Sequence, residues 1–136
     1  MSATPLRGTR LAHVGIAVSA LEAILPFYRD VLGLPELPVH DKDGAAITGL
    51  AAGEAMIELL HPKESGSPVD RFLRRRGPAI HHLCFAVDDL DGALERCRGI
   101  GIRLIDETPR VGAEGKRIAF LHPSSTQGVL VELTEY

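Results

Sequence analysis

Two stretches of the sequence repeat each other: residues 11–34 read LAHVGIAVSALEAILPFYRDVLGL, and residues 80–103 read IHHLCFAVDDLDGALERCRGIGIR. They align without a gap at an offset of 69 residues. A second pair of similar segments follows, IELL at residues 57–60 in the first half and VELT at residues 131–134 in the second, at an offset of 74 residues. A chain with this kind of internal repeat is built from copies of one supersecondary unit. We therefore expect two equivalent halves.

Each half is predicted to start with a strand and continue with a helix. In the first half Ser19 is placed to cap the helix and Gly33 to end it, and in the second half Asp88 and Gly101 take these positions. Pro26 is expected to kink the first helix, or else the helix begins later than the cap suggests. Apolar spacing assigns the buried helix faces to Leu21, Leu25, Tyr28 and Leu32 in the first half and to Leu90, Leu94 and Cys97 in the second.

The remaining elements complete a prediction of one domain over residues 1–136. The further strands are predicted at residues 45–50, 55–60, 103–105, 117–121 and 128–134. The domain then consists of a first module at about residues 10–62, a linker helix at about 68–76 and a second module at about 79–136. The predicted fold class is α+β, with two tandem βαβββ modules.

Composition limits the kind of protein this is. The 136 residues are 45% hydrophobic and carry 15 Lys and Arg against 18 Asp and Glu, which gives a formal net charge of −3. This balance argues against a nucleic-acid partner, and no apolar run is long enough to span a membrane. We expect a soluble, cytoplasmic protein. Cys84 and Cys97 both fall inside predicted elements, which favours reduced thiols over a disulfide.

Strand alternation places chemically useful side chains on one face. His13 and Gly15 share a face of the first strand, and His82 occupies the equivalent position in the second half. Glu58 and Glu132 each point away from the strongly apolar face of their own strands. Because the histidine faces otherwise carry small residues, the two halves are predicted to offer one His and one Glu each to a common concave surface.

A divalent metal is the simplest explanation for such a set. Two carboxylates in a buried cleft repel each other and lose hydration unless a cation or protons neutralise them. Two imidazoles with two carboxylates suit Co, Mn, Fe, Ni or Zn better than Ca. The alternative is that Glu58 and Glu132 are exposed residues of edge strands.

These residues resemble a known family. GPAIHHLCFAVDDLDGAL, GIRLIDETPRVGAEGKRIAFLHP and GVLVEL are similar to sequences of the vicinal oxygen chelate superfamily (glyoxalase, bleomycin resistance, dioxygenase) and, within it, of the methylmalonyl-CoA epimerase family. The resemblance covers residues 11–134, and its most specific part is FLHP at residues 120–123. It implies that the two modules form a curved mixed sheet around a metal-binding cleft. The cleft is expected to hold a divalent ion, Co²⁺ first and Mn²⁺, Ni²⁺, Zn²⁺ or Fe²⁺ as alternatives. The implied metal ligands are His13, Glu58, His82 and Glu132.

The resemblance also implies an activity. It is the interconversion of (2R)- and (2S)-methylmalonyl-CoA by removal and return of the C2 proton through a metal-stabilised enolate, with Glu132 and Glu58 as the proton-transfer pair. Ile47 stands where some family members carry a further carboxylate, so the second proton-transfer group stays open. The substrate is then an acyl-CoA, and a homodimer is expected. Candidate residues for the coenzyme A phosphates are Lys116, Arg117, Ser124 and Ser125.

Three other functions fit parts of the pattern. A glyoxalase-type lyase acting on a glutathione hemithioacetal uses the same ligand types. An extradiol dioxygenase needs only two His and one Glu around its iron, so the additional Glu argues against it. A metal-free protein that binds an antibiotic needs an aromatic groove, and this chain has only 2 Tyr and 4 Phe and no Trp.

Overall fold

The computed structural model describes residues 5–136; residues 1–4, with which the predicted domain begins, lie outside the described residues. Two compact units are present. We call His13–His81 the first module, and residues 5–12 together with His82–Tyr136 the second module. Within residues 5–136 no helix has both the length and the apolar character needed to cross a bilayer.

The first module contains a mixed sheet with strand order β2-β3-β4-β1. In this order β1 pairs in parallel with β4, and the other neighbouring strands pair antiparallel. The elements are β1 (Arg10–Ala17, which begins before the module boundary), α1 (Leu21–Pro26), a π-helix (Phe27–Val31), β2 (Glu36–Leu37), β3 (Ala45–Ala52), β4 (Ala55–Pro62) and α2 (Pro68–Arg76).

The second module repeats this topology. Its strand order is β6-β7-β8-β5, in which β5 pairs in parallel with β8 and the other pairs are antiparallel. The predicted α+β class with two βαβββ modules is therefore confirmed. The elements are β5 (Ala79–Val87, which begins before the module boundary), α3 (Leu90–Gly99), β6 (Arg110–Val111), β7 (Arg117–Leu121), a 3₁₀-helix (Pro123–Ser125) and β8 (Val131–Glu135).

Both helix caps lie one residue later than predicted. Ala20, which has no side-chain cap, precedes α1 in place of Ser19. Asp89 rather than Asp88 caps α3, and its Oδ1 accepts a hydrogen bond from Gly92 N–H at 3.0 Å. The reason is that Ala20 and Asp89 are still extended, and the cap is the last extended residue before the helix.

Pro26 changes the first helix as predicted. The α-helical pattern ends there, and the following residues form a π-helical turn in which Leu32 N–H donates to Phe27 C=O at 3.0 Å. Proline has no N–H to continue the α-helical ladder, and the wider turn rotates the residues that follow. The prediction that Leu32 is buried is therefore wrong, since it is 51% exposed, and Leu34 packs against the core instead.

Two of the strand predictions for the second module differ from the structure, and both lie next to loops. Residues 117–121 form a strand as predicted, whereas residues 103–105 do not. Leu104 makes one isolated bridge to Leu121, and the strand that pairs with β7 is β6, which the sequence pattern missed. The last strand starts at Val131, after the residues predicted to begin it, because Gln127 and Gly128 have φ of 58° and 85° and form a turn.

Each helix covers one face of a sheet. In the second module α3 packs through Leu90 and Leu94 on the face of Leu133. Cys97 lies at the margin of this cluster, where burial raises the pKa of its thiol, and it forms no disulfide with Cys84. In the first module α1 packs on the face of Leu59 (with Val18 and Leu50), and α2 packs on the opposite face, against Ala17 and Leu60.

The burial of the two repeated helices generates a stability prediction. Leu94→Ala removes a side chain that is 1% exposed, so we expect a loss of about 2–5 kcal/mol in the free energy of unfolding, measured in urea. Leu32→Ala is the matched control in the other helix segment and is expected to change it by less than about 0.5 kcal/mol. Equal losses in the two variants would contradict the burial described here.

Candidate functional site

His13 and Glu58 lie together in the first module. The parallel pairing of β1 and β4 places Gly15 beside Glu58, so His13, two residues before Gly15, is on the same face as the carboxylate. His13 Nε2 is 3.3 Å from Glu58 Oε1. The two residues are only 1% and 2% exposed. The predicted pairing of a strand histidine with a later glutamate is therefore present in this module.

His82 and Glu132 repeat the arrangement in the second module. Here the parallel pairing of β5 and β8 places Cys84 beside Glu132. His82 Nε2 is 3.1 Å from Glu132 Oε1, and the two residues are 6% and 5% exposed. The repeat in the sequence thus becomes a repeat of one buried imidazole–carboxylate contact.

The alternative in which the glutamates are exposed on edge strands is wrong. Within the sheet of its own module Glu58 is on β4, which has β3 on one side and β1 on the other. Glu132 is on β8, between β7 and β5. Both carboxylates are therefore on interior strands and out of contact with bulk water.

The geometry and chemistry of each pair fit two neighbouring ligands of a divalent ion. Ligand atoms about 2.1 Å from one ion are about 3.0 Å apart at a right angle and about 3.4 Å apart at a tetrahedral angle. The observed separations of 3.1 and 3.3 Å lie between these values. An imidazole N–H donating to a carboxylate gives similar distances, so the burial of the carboxylates is the stronger indication of a cation.

Small side chains surround the histidines on their strands. Gly15 and Ala17 share the face of His13, and Cys84 and Ala86 share the face of His82. In the first module, Phe72 of α2 packs with Ala17 and Leu60 at one end of this face. On its own strand, each imidazole therefore has only small neighbours on the same face.

Sequence reasoning missed an aromatic contact to His82. Phe120 is the strand neighbour of Glu132 on β7, and its ring meets the His82 ring edge to face, with centroids 5.6 Å apart and planes at 79°. Asp106 accepts a hydrogen bond from Phe120 N–H at 2.8 Å and one from Arg110 Nε at 3.1 Å. Strand alternation and the FLHP motif are the signals that could have identified Phe120, whereas no pattern marks the loop residue Asp106.

The candidate phosphate-binding residues occupy different surroundings. Arg117 donates to Asp91 and to Glu135, both at 3.0 Å, and these carboxylates raise its pKa. Ser125 Oγ accepts a hydrogen bond from Arg103 N–H at 2.9 Å. Exposed side chains among the four candidates are those of Lys116, Arg117 and Ser124. Glu135 also accepts from Leu90 N–H at 2.9 Å and so helps to cap α3.

Comparison with known proteins identifies relatives along nearly the whole chain. The model of the Glyoxalase/Bleomycin resistance protein/Dioxygenase superfamily matches residues 12–120. The ethylmalonyl-CoA/methylmalonyl-CoA epimerase of Cereibacter sphaeroides is 41% identical over 131 residues, which are 93% of this chain and 97% of that protein.

Solved structures agree in fold. The methylmalonyl-CoA epimerase of Mycobacterium tuberculosis is 40% identical with a TM-score of 0.90, covering 99% of this chain and 92% of that chain. A methylmalonyl-CoA epimerase in complex with methylmalonyl-CoA and NH₄⁺ is 33% identical with a TM-score of 0.88, covering 93% and 94%. The resemblance predicted from the sequence is confirmed, and this chain belongs to the Glyoxalase/Bleomycin resistance protein/Dioxygenase superfamily.

Proposed function

We propose that this protein is a methylmalonyl-CoA epimerase that interconverts (2R)- and (2S)-methylmalonyl-CoA. The observation that carries the proposal is the buried imidazole–carboxylate contact that occurs once in each module, at 3.3 Å and at 3.1 Å. The names of the relatives support the substrate and the reaction. The acyl-CoA substrate follows from the same similarity.

A divalent metal is part of the proposal. His13, Glu58, His82 and Glu132 are its proposed ligands, and their two nitrogen and two oxygen donors suit Co²⁺, Mn²⁺, Ni²⁺, Zn²⁺ or Fe²⁺. Among these ions the family resemblance favours Co²⁺. The chemistry supplied by such an ion is Lewis acidity toward the thioester oxygen, where negative charge develops. The burial of both carboxylates supports the assignment, because unneutralised carboxylates are costly to bury.

The protein's own carboxylates carry the proposed proton transfer. Glu132 takes the proton from C2, and the electron pair of that C–H bond spreads onto the thioester carbonyl. Glu58, protonated at the start, gives its proton to the opposite face of C2, which inverts the centre. Glu58 is then a carboxylate and Glu132 carries the proton from C2, until exchange with solvent resets the pair. The role of Glu132 is the primary assignment. The role of Glu58 as the second proton-transfer group rests only on its equivalent position in the other half of the repeat.

The coenzyme A part of the substrate needs donors for its phosphates. Lys116 is the leading candidate because its side chain is exposed in the turn before β7, and Ser124 is exposed as well. Ser125 and Arg117 already hold groups of the second module, so binding phosphate through Arg117 requires it to release a carboxylate. A homodimer and a cytoplasmic location remain predictions.

A glyoxalase-type lyase is the competing activity. It requires the same ligand types as the epimerase, His and Glu, which each module provides once. Assays with methylmalonyl-CoA and with the glutathione hemithioacetal of methylglyoxal, on the same cobalt-loaded sample, separate the two activities.

Isotope exchange tests the proton transfer. One stereoisomer of methylmalonyl-CoA in deuterated water is expected to epimerise and to gain deuterium at C2 in the presence of Co²⁺. Glu132→Gln is expected to slow exchange by about 10²- to 10⁴-fold, since a positioned acid–base group contributes that much. Mass spectrometry of the acyl group follows the exchange.

The control for this experiment is Glu135→Gln, which alters a carboxylate on the same strand that caps α3. It is expected to lower stability and to leave the exchange rate of the folded protein within about threefold of the wild type. Exchange at the wild-type rate in Glu132→Gln, with its metal retained, would remove Glu132 from the mechanism.

Metal content is a second test. Purified protein is expected to hold about one transition-metal ion per chain, and a chelator is expected to lower the melting temperature. Free Co²⁺ at 100 times its Kd stabilises the folded chain by about 2.7 kcal/mol. His82→Ala is expected to lose most of this stabilisation, whereas His122→Ala, which changes a histidine that caps the 3₁₀-helix, is expected to retain it. A chain that takes up no metal would favour the binding-protein alternative.

A charge variant tests the phosphate contacts. Lys116→Ala is expected to raise the KM for the CoA thioester by about two- to fivefold without changing kcat, because an exposed ionic contact contributes little energy to the bound state and none to the chemical step. The matched control is Lys63→Ala, which breaks a surface contact to Asp41 in the first module. An unchanged KM at low ionic strength would exclude Lys116 from the binding site.

A further inference from the structure

Phe120 lies between a buried histidine and a surface cation. The Phe120 ring contacts the His82 ring edge to face, with 5.6 Å between the two centroids. The Arg110 guanidinium lies over the Phe120 ring, with its central carbon 5.7 Å from the ring centroid. Both distances are within the ranges at which aromatic pairs and cation–π pairs attract.

Asp106 holds two members of this group at once. Its two carboxylate oxygens accept from the backbone N–H of Phe120 and from Nε of Arg110. The Asp106 side chain is only 15% exposed, so these contacts are less screened than those of a surface ion pair. In addition, Arg110 pairs with Ile118 across β6 and β7, which puts Arg110 and Phe120 on the same face.

The plane of an imidazole needs such support. Rotation about the last side-chain bond of a histidine is soft, and the direction of Nε2 changes with it. The groups that surround a ligating histidine commonly set its orientation, and their loss weakens metal binding. In the second module His82 contacts Glu132 through Nε2 and Phe120 through its ring.

We propose that Phe120 is a positioning residue for His82, and that the Asp106–Arg110 pair keeps the Phe120 ring in place. Phe120 is the first residue of the FLHP motif, and no residue of this motif takes part in the proposed proton transfer. The proposal gives Phe120 a role in supporting His82. Its consequence for metal binding rests on the proposed function. The contact between the two rings does not, and the experiment reads the two separately.

The first measurement uses the metal-free chain. The ring resonances of His82, assigned by their loss in His82→Gln, are followed by NMR in three variants. Phe120→Leu is expected to shift and broaden them, because the ring current and the packing are both lost. Phe120→Tyr keeps the ring and is expected to preserve them. Phe85→Leu, on the core-facing side of the same strand as His82, is expected to lower the melting temperature and leave them in place.

The second measurement is Co²⁺ affinity, by titration of the cobalt absorption bands. Phe120→Leu is expected to weaken binding by about two- to tenfold, with Phe120→Tyr and Phe85→Leu within twofold of the wild type. Asp106→Asn weakens the contacts to Arg110 and to the Phe120 backbone N–H without changing the ring itself. It is expected to reproduce part of the loss in Co²⁺ affinity.

The outcomes distinguish the two ideas. Wild-type His82 resonances in Phe120→Leu would overturn the positioning role, and so would shifted resonances with an unchanged Co²⁺ affinity. A wild-type chain that binds no Co²⁺ would overturn the proposed metal centre, and the metal-free NMR comparison would still decide whether Phe120 orients the ring.

Discussion

A carboxylate withdrawn from water beside an imidazole is the constraint on which the rest of this structure depends. It occurs once in each module, and in both cases two parallel strands hold it. Parallel pairing with an intervening helix fixes which residues of the two strands share a face. The helix, the short hairpin strands and the small residues near the histidine can all be understood as ways of building this one contact.

The duplication places the same pair of side chains in each half of the chain. A His–Glu pair offers two donor atoms to an ion, and each module carries one such pair on its strands, without a dedicated loop. Each copy still differs in its surroundings. The first module has α2 packed on the face of His13, through Phe72, whereas the second has Phe120 and its supporting ion pair beside His82. Divergence in these surroundings lets the two halves of a repeat acquire different roles.

Most of the fold and the two His–Glu contacts follow from local patterns, and the failures share a physical cause. The contacts of His13 with Glu58 and of His82 with Glu132 are predictable because strand alternation and repetition are visible in sequence. Leu32 was misplaced because Pro26 widens the helix by a fraction of a turn, which no 3.6-residue period describes. Residues 103–105 make only an isolated bridge, from Leu104 to Leu121, and the loop that follows is tied to β7 by the hydrogen bond from Phe120 N–H to Asp106. Such long-range hydrogen bonds leave no periodic trace.

The position of Glu135 connects two properties that are usually independent. Glu132 and Glu135 lie three residues apart on the same short strand, β8. Glu132 belongs to the candidate centre, and Glu135 accepts a hydrogen bond from Leu90 N–H at the start of α3. Peeling β8 away from its neighbours would remove a proposed ligand and uncap a helix in a single event. Local fraying at this strand would therefore not leave the rest of the module intact; loss of the candidate centre and exposure of α3 to proteases would begin together.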